Sequence, residues 1–159
     1  MNPIKIRDVM VENVVTVRPD YTVKHAASIM NRFGLGCVVV LRDEEIVGIV
    51  TERDLLKRIV AVARDPEKTF VRDIMSKPVI VVGPDVSFEG ALKLMFKQRI
   101  KKLPIVERLR GKDKLIGLVT LTDIARLQPK LMETLRELFS QEGRPPPKSM
   151  EKVMNYYVV

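Results

Sequence analysis

The sequence predicts a mixed α/β (α+β) fold built from two copies of one β-α-β-β-α unit, followed by a helical extension. Two repeats predict it. The stretch "IRDVMVENVVTVRPDYTV" at 6–23 recurs as "VRDIMSKPVIVVGPDVSF" at 71–88, 65 positions later. The stretch "GIVTERD" at 48–54 recurs as "GLVTLTD" at 117–123, 69 positions later. The extra residues of the second copy fall in the charged "ERLRGKDK", which predicts a longer hairpin loop there.

Each copy shows the same order of elements. The runs "VVTV" and "VIVV", each followed by a short link to Pro-Asp, predict brief buried strands. Apolar residues at helical spacing follow, with Thr22 and Ser87 as predicted N-caps. Two paired strands come next, and a second helix starts at each Thr-x-x-Asp. One such unit has too few strands to cover its own apolar face, so we expect the two copies to pack together.

The repeat divides the chain into a first unit at 1–62, a second unit at 63–127 and an extension at 128–159. The extension opens with an amphipathic helix, "PKLMETLRELFSQ", and closes with the apolar "MEKVMNYYVV". We expect that apolar end to dock on the pair or on another subunit. No apolar stretch approaches the roughly 20 residues that span a bilayer, and the N-terminus lacks a signal-peptide core, so we expect a cytoplasmic protein.

Composition excludes several classes of site. Cys37 and His25 are the only residues of their types, which rules out an internal disulfide, a multi-cysteine zinc site and a histidine cluster. No set of acid, base and nucleophile is apparent, so we expect no catalysis, no catalytic cofactor and no metal. The net charge of +8 raises the question of nucleic acid, but the basic residues are scattered among acids. A solvated basic surface is the favoured interpretation.

The Thr-x-x-Asp motif has two interpretations. As a variant of the capping box, the Thr hydroxyl and the Asp carboxylate satisfy free amides where a strand becomes a helix. As a ligand site, the hydroxyl and the helix start would hold a phosphate, while the carboxylate would accept hydrogen bonds from the two hydroxyls of a ribose. Both interpretations use the same geometry, and the residues alone leave them open.

The region from about Ile4 to Leu127 resembles a tandem pair of cystathionine β-synthase (CBS) domains. The features that show this are "VVTVRPD", "GCVVVLRDEEIVGIVTERDLL", "VIVVGPD" and "KKLPIVERLRGKDKLIGLVTLTDI", in order and in duplicate. The resemblance implies that the two units pack about a pseudo-two-fold axis with a cleft on each side. It further implies a stand-alone regulatory module that binds AMP, ADP, ATP or S-adenosylmethionine as a sensor, and that forms a homodimer.

The resemblance also implies which residues contact the ligand. The two aspartates of the repeated motif match ribose-binding positions, and the two threonines match positions that contact phosphate or ribose. Two lysines match a basic position near phosphate, and further residues match segments that line the base. The implied contact residues are Thr16, Val17, Val38, Thr51, Arg53, Asp54, Val81, Val82, Lys101, Lys102, Leu103, Pro104, Thr120 and Asp123.

The two copies differ where the second has Lys101-Lys102. The first copy has Gly36-Cys37 there, so it offers no cation of its own unless Arg53 substitutes. We therefore expect two clefts that are not equivalent, with Asp123 mattering more to binding than Asp54. The alternative function is a protein-binding or nucleic-acid-binding adaptor without a nucleotide ligand, in which both Thr-Asp motifs are plain helix caps.

Overall fold

A computed structural model describes residues 4–127, 129 and 133. The chain divides into two compact units, Met1–Leu121 and Thr122–Val159. Both repeats up to the end of their last strand fall within the first unit, so the first unit contains packing between the copies. The predicted extension from residue 128 lies outside the described residues, apart from positions 129 and 133. No helix in the described part of the chain is long and apolar enough to cross a membrane.

The first repeat contains a three-stranded sheet and two helical segments. A 3₁₀ turn (Ile6–Asp8) comes before the sheet, and a π-helical turn (Leu56–Val60) follows its second helix. The other elements are β1 (Thr16–Val17), α1 (Val23–Phe33), β2 (Cys37–Arg42), β3 (Glu45–Thr51) and α2 (Glu52–Leu55). The sheet has the order β1-β2-β3, with β1 parallel to β2 and β2 antiparallel to β3.

The second repeat has one strand fewer than the sequence predicts. Its elements are α3 (Val71–Ile74), α4 (Phe88–Gln98), β4 (Lys102–Leu109), β5 (Lys112–Thr120) and α5 (Leu121–Leu127). The predicted strand "VIVV" is wrong as a strand, since only Val82 forms a parallel bridge, to Ile105. Gly83 follows it where Arg18 follows β1, and glycine favours extended pairing less than a residue with a side chain.

The two long helices begin where the sequence predicts. The hydroxyl of Thr22 accepts a hydrogen bond from the His25 N–H at 3.2 Å, and that of Ser87 accepts one from the Gly90 N–H at 3.1 Å. Helix α1 ends at Gly34, whose φ of 62° is the left-handed conformation common after helices. Helix α4 buries its predicted apolar stripe, including Phe88, and both N-cap predictions are confirmed.

The extra residues of the second repeat lengthen strands, where the sequence predicts a longer loop. Strands β4 and β5 have 8 and 9 residues, against 6 and 7 in β2 and β3. Both hairpins carry a register shift at the same place, between Val40 and Leu41 and between Ile105 and Val106. The turn of the longer hairpin is therefore tight, with Arg110 and Gly111 at positive φ. The loop prediction was wrong because the inserted charged residues pair with each other across the hairpin and so extend both strands.

The first segment of each repeat docks on the other repeat. The N–H of Ile6 donates to the carbonyl of Val86 at 2.9 Å, and the N–H of Val71 donates to the carbonyl of Tyr21 at 2.9 Å. These two contacts are equivalent under the repeat, which is the reciprocity that a pseudo-two-fold axis produces. The buried core around β2 and α1 accordingly includes Val71 and Ile74 from the second repeat.

Charge supports one of these exchanged contacts. Lys5 and Arg7 each place a nitrogen on the carboxylate of Asp85, at 3.0 and 2.9 Å. The hydrogen bond from Lys5 lowers the pKa of Asp85, with a further contribution from the charge of Arg7. All three side chains are well exposed, so we treat the cluster as a minor contribution to stability.

The glycine of each repeated motif holds a methionine of the other repeat. A Cβ added to Gly48 would lie 2.4 Å from the sulfur of Met75, and one added to Gly117 would lie 2.4 Å from the sulfur of Met10. Beside them, Ile49 bridges Ser76 and Leu118 bridges Val11. Packing of a methionine from the other repeat thus explains why each motif has a glycine. This explanation does not depend on a ligand.

Candidate functional site

The Thr-x-x-Asp motif of the first repeat is a complete capping box. The N–H of Thr51 donates to Oδ2 of Asp54 at 2.9 Å, and the N–H of Asp54 donates to the Thr51 hydroxyl at 3.3 Å. The Thr51 hydroxyl also donates to Oδ2 at 3.1 Å. Capping, one of the two interpretations of the sequence, is confirmed for this copy.

The second carboxylate oxygen of Asp54 reaches the other repeat. Ser76 donates its hydroxyl hydrogen to Oδ1 at 2.8 Å, and Nη1 of Arg58 lies 3.2 Å from the same oxygen. Arg58 in turn donates to the carbonyl of Ile74 at 2.6 Å. Asp54 is only 7% exposed, and its carboxylate has contacts on both oxygens. A ribose could bind it only by replacing Ser76 or Arg58, because a carboxylate offers about four acceptor positions.

The corresponding motif of the second repeat begins at the end of β5. Thr120 is the last residue of that strand and pairs with Lys102 in the register of the hairpin. Asp123 lies in the first turn of α5, which belongs mostly to the second compact unit. The roles of Thr120 and Asp123 toward a ligand remain predictions from the repeat.

Lys102 of the second repeat extends its side chain to the first repeat. Its Nζ lies 2.9 Å from the position that a Cβ on Gly36 would occupy, and a carboxylate oxygen of Glu52 lies 3.6 Å from the same position. The first repeat therefore has a cation beside Gly36, which its own sequence lacks. The first repeat offers no cation of its own there, as its sequence indicates, and the repeat does not show that a side chain of the other copy lies beside Gly36. Gly36 leaves room for the ammonium group.

These residues meet at the start of α2. The N–H of Glu52 donates to the carbonyl of Gly36 at 3.1 Å, which ties the beginning of β2 to the beginning of the helix. Thr51 pairs with Cys37 across the hairpin. Lys102 of one repeat and the Thr51–Asp54 motif of the other thus border the same short stretch of backbone. Arg53 and Lys101 are both exposed.

The residues implied for the base are mostly part of the core. Val17, Val38, Leu103 and Pro104 are buried, and Val82 is half-buried beside Ile105. Thr16 lines a cavity of about 620 Å³ and Val81 lines another of about 1110 Å³. Neither cavity includes the Thr51–Asp54 motif or Lys102. The structure places Lys102 beside Gly36 and Glu52 of the first repeat, and it distributes the residues implied for the base between the core and two separate cavities.

Two residues at this site were missed by sequence reasoning. Ser76 has Val11 as its counterpart in the first repeat, so the repeat gives no sign of its role. Arg58 could have been found, since it lies four residues after Asp54, a spacing at which helical side chains pair. Among the described residues, no group of three or more His, Cys, Asp or Glu side chains is arranged to hold a metal ion.

Comparison with known protein families shows the family to which the chain belongs. The family model described as "CBS domain" matches twice, at residues 6–61 and 71–130. The chain belongs to the CBS-domain family. The predicted pair of CBS units is thereby confirmed. The exact unit boundaries at 62 and 127 stay predictions.

The relatives of this CBS pair include a CBS domain-containing protein and an enzyme that matches over part of its length. It is 35% identical to the CBS domain-containing protein YhcV of Bacillus subtilis over 76% of this chain and 82% of that protein. It is 38% identical to inosine-5'-monophosphate dehydrogenase of Methanocaldococcus jannaschii, over 77% of this chain but only 23% of the enzyme. The enzyme match is therefore a partial one and transfers no catalytic activity.

A solved structure of a CBS protein is similar to this chain. The hexameric CBS-CP12 protein from bloom-forming cyanobacteria superposes with a TM-score of 0.71 and 26% identity, covering 98% of this chain and 83% of that one. A TM-score of this size, with the family match, supports a regulatory CBS-pair module as the class of this protein. The ligand and the assembly of the chain belong to the proposal that follows.

Proposed function

We propose that this CBS pair binds an adenosine-type ligand, such as AMP, ADP, ATP or S-adenosylmethionine, and acts as an energy or metabolite sensor without catalysis. The observation that supports it most is the placement of Lys102 beside Gly36, Glu52 and the Thr51–Asp54 motif of the other repeat. A cation in the same region as a hydroxyl and a carboxylate supplies the kinds of group that a nucleoside phosphate needs.

In this proposal the phosphate lies at Lys102, with Lys101 and Arg53 available beside it. The ribose hydroxyls bind an aspartate of the repeated motif. Asp54 can take that role only by exchanging its bond to Ser76 or Arg58, since both of its oxygens have partners. The ranking of Asp123 above Asp54 for ribose binding stays a prediction from the sequence.

The proposal includes self-association, with a homodimer as the simplest form. The CBS-CP12 neighbour is hexameric by its description. Leu56 and Val60, four residues apart on the π-helical turn, are 59% and 68% exposed, and Val62 nearby is 55% exposed. Apolar side chains clustered in this way are typical of a surface that another subunit covers. Sedimentation velocity of the full chain measures this directly.

The nucleotide proposal predicts selective thermal stabilisation. Adenine nucleotides should raise the melting temperature of the full chain, whereas guanine nucleotides should raise it much less. A ligand present at about 100 times its dissociation constant adds roughly 2.7 kcal/mol to the free energy of unfolding. Equal shifts with ATP and GTP would point to general phosphate binding on a basic protein, and a shift with duplex DNA alone would favour the adaptor function.

A further inference from the structure

A second region of the molecule has the properties of an anion site. A cavity of about 1110 Å³ lies between the hairpin of the first repeat and the segment 72–81 of the second. Four cationic side chains line it: Arg42, Arg72, Lys77 and Lys112. Its apolar lining includes Val79 and Val81. Lys102 and the Thr51–Asp54 motif are not part of this cavity.

The duplication provides a comparison within the same molecule. The smaller cavity, of about 620 Å³, is formed by the equivalent segments with the repeats exchanged. Its lining has Glu107 where the larger cavity has Arg42, and Glu12 where the larger has Lys77. Only Arg7, the counterpart of Arg72, keeps its charge. The fold therefore forms this kind of cavity whether the two positions carry cations or glutamates. The packing of the fold does not require Arg42 and Lys77 to be cationic.

The contacts of the four cations show which of them are available. Lys112 lies 3.9 Å from a carboxylate oxygen of Glu45, and the guanidinium of Arg72 stacks over the ring of Phe70 at 4.3 Å. Within the described part of the chain, no carboxylate lies at ion-pair distance from Arg42 or Lys77. The two cations that a glutamate replaces in the smaller cavity, Arg42 and Lys77, are thus the two that lack an ion-pair partner among the described residues.

Three carboxylates also line the larger cavity, and none of them lies at ion-pair distance from Arg42 or Lys77. Glu45 is paired with Lys112, and Oδ2 of Asp73 accepts the N–H of Phe70 at 3.1 Å. Asp113 lies at the start of the strand Lys112–Thr120. An arginine with a free guanidinium binds phosphate oxygens in a bidentate manner, and a lysine adds a second point charge.

We infer that this cavity binds a small organic phosphate, with its phosphate group between Arg42 and Lys77 and its apolar part against Val79 and Val81. The site uses cations other than Lys101, Lys102 and Arg53 of the adenosine site proposed above, and it shares only Val81 with the residues implied there. It makes the two sides of the pseudo-symmetric pair chemically different.

The test uses inorganic pyrophosphate as the probe and amide NMR of the ¹⁵N-labelled full chain as the measurement. Pyrophosphate should shift the signal of Gly111, which lines the cavity, in a saturable manner. The exposed variants Arg42→Glu and Lys77→Glu should each weaken that response about tenfold or more, since a charge-assisted hydrogen bond is lost. Lys93→Glu, an exposed change of the same charge on α4, should leave it nearly unchanged.

The signal of Gly36 separates this proposal from the adenosine site, since Gly36 lies beside Lys102. Pyrophosphate shifts at Gly36 alone would contradict the cavity site and would instead agree with a phosphate position at Lys102. An equal loss in Lys93→Glu and Arg42→Glu would contradict it as well, because binding would then depend only on the overall charge. Thermal melts of each variant confirm that the comparison is made between folded proteins.

Discussion

Replacing Gly48 with alanine should destabilise the protein by about 1–3 kcal/mol, the cost of overpacking a filled contact. The added Cβ would lie 2.4, 2.7 and 3.0 Å from Sδ, Cγ and Cβ of Met75. The sulfur could turn aside, but the Cβ of Met75 is fixed to its backbone, so the segment from the second repeat has to move. Gly117→Ala should behave in the same way against Met10, where the shortest distance is also 2.4 Å.

The chain offers a matched control and a way to assign the cause. Gly83 has nothing within 4 Å of an added Cβ, so Gly83→Ala should change stability little. Met75→Ala alone leaves a cavity, but combined with Gly48→Ala it should cost less than the sum of the two single changes. Chemical denaturation of wild type, the two single variants at Gly48 and Met75, and the double variant measures these free energies. Additive costs would show that Gly48 and Met75 do not compete for the same space.

Replacing Asp54 with alanine should lower the free energy of unfolding by about 2–3 kcal/mol. Loss of a helix cap accounts for about 0.5–2 kcal/mol, and the Ser76 hydroxyl loses its acceptor in a half-buried position. The contribution of Arg58 is small, because its side chain is 44% exposed and water can solvate the charge. The effect is expected to exceed that of an ordinary cap, since this carboxylate joins the two repeats.

Asp73 provides the comparison for that prediction. Its carboxylate also caps a short helix, by accepting the N–H of Phe70 at 3.1 Å, and it is exposed. Asp73→Ala should therefore show the cost of a cap alone. If urea denaturation gives the same loss for Asp73→Ala and Asp54→Ala, the bond between Asp54 and Ser76 contributes nothing measurable, and the cross-repeat role of Asp54 is wrong.

Local patterns predicted the elements that depend on neighbouring residues. Thr22 and Ser87 cap their helices as expected, because capping requires only a hydroxyl and the next turn of backbone. The hairpins were found because alternation and turn residues lie within one stretch of chain. The capping interpretation of Thr51 and Asp54 was also available from the sequence, and the structure shows it.

The features that the sequence left hidden all join the two repeats. The repeat aligns Met10 with Met75, but it does not show that each packs against the motif glycine of the other copy. The same holds for Lys102, which the sequence assigns to the second repeat and the structure places beside Gly36 of the first. Side chains that cross between copies depend on how the copies pack, and this information is absent from the spacing within either one.

Binding of AMP and adenosine to wild type and Lys102→Ala, measured by titration calorimetry, tests the central claim most directly. The account predicts that Lys102→Ala weakens AMP about tenfold or more, because a charge-assisted contact to phosphate is lost, and leaves adenosine nearly unchanged. Lys93→Ala serves as the control for net charge, and low ionic strength should enlarge the difference. Wild-type affinity for AMP in Lys102→Ala, or an equal loss for AMP and adenosine, would contradict the placement of the phosphate at Lys102.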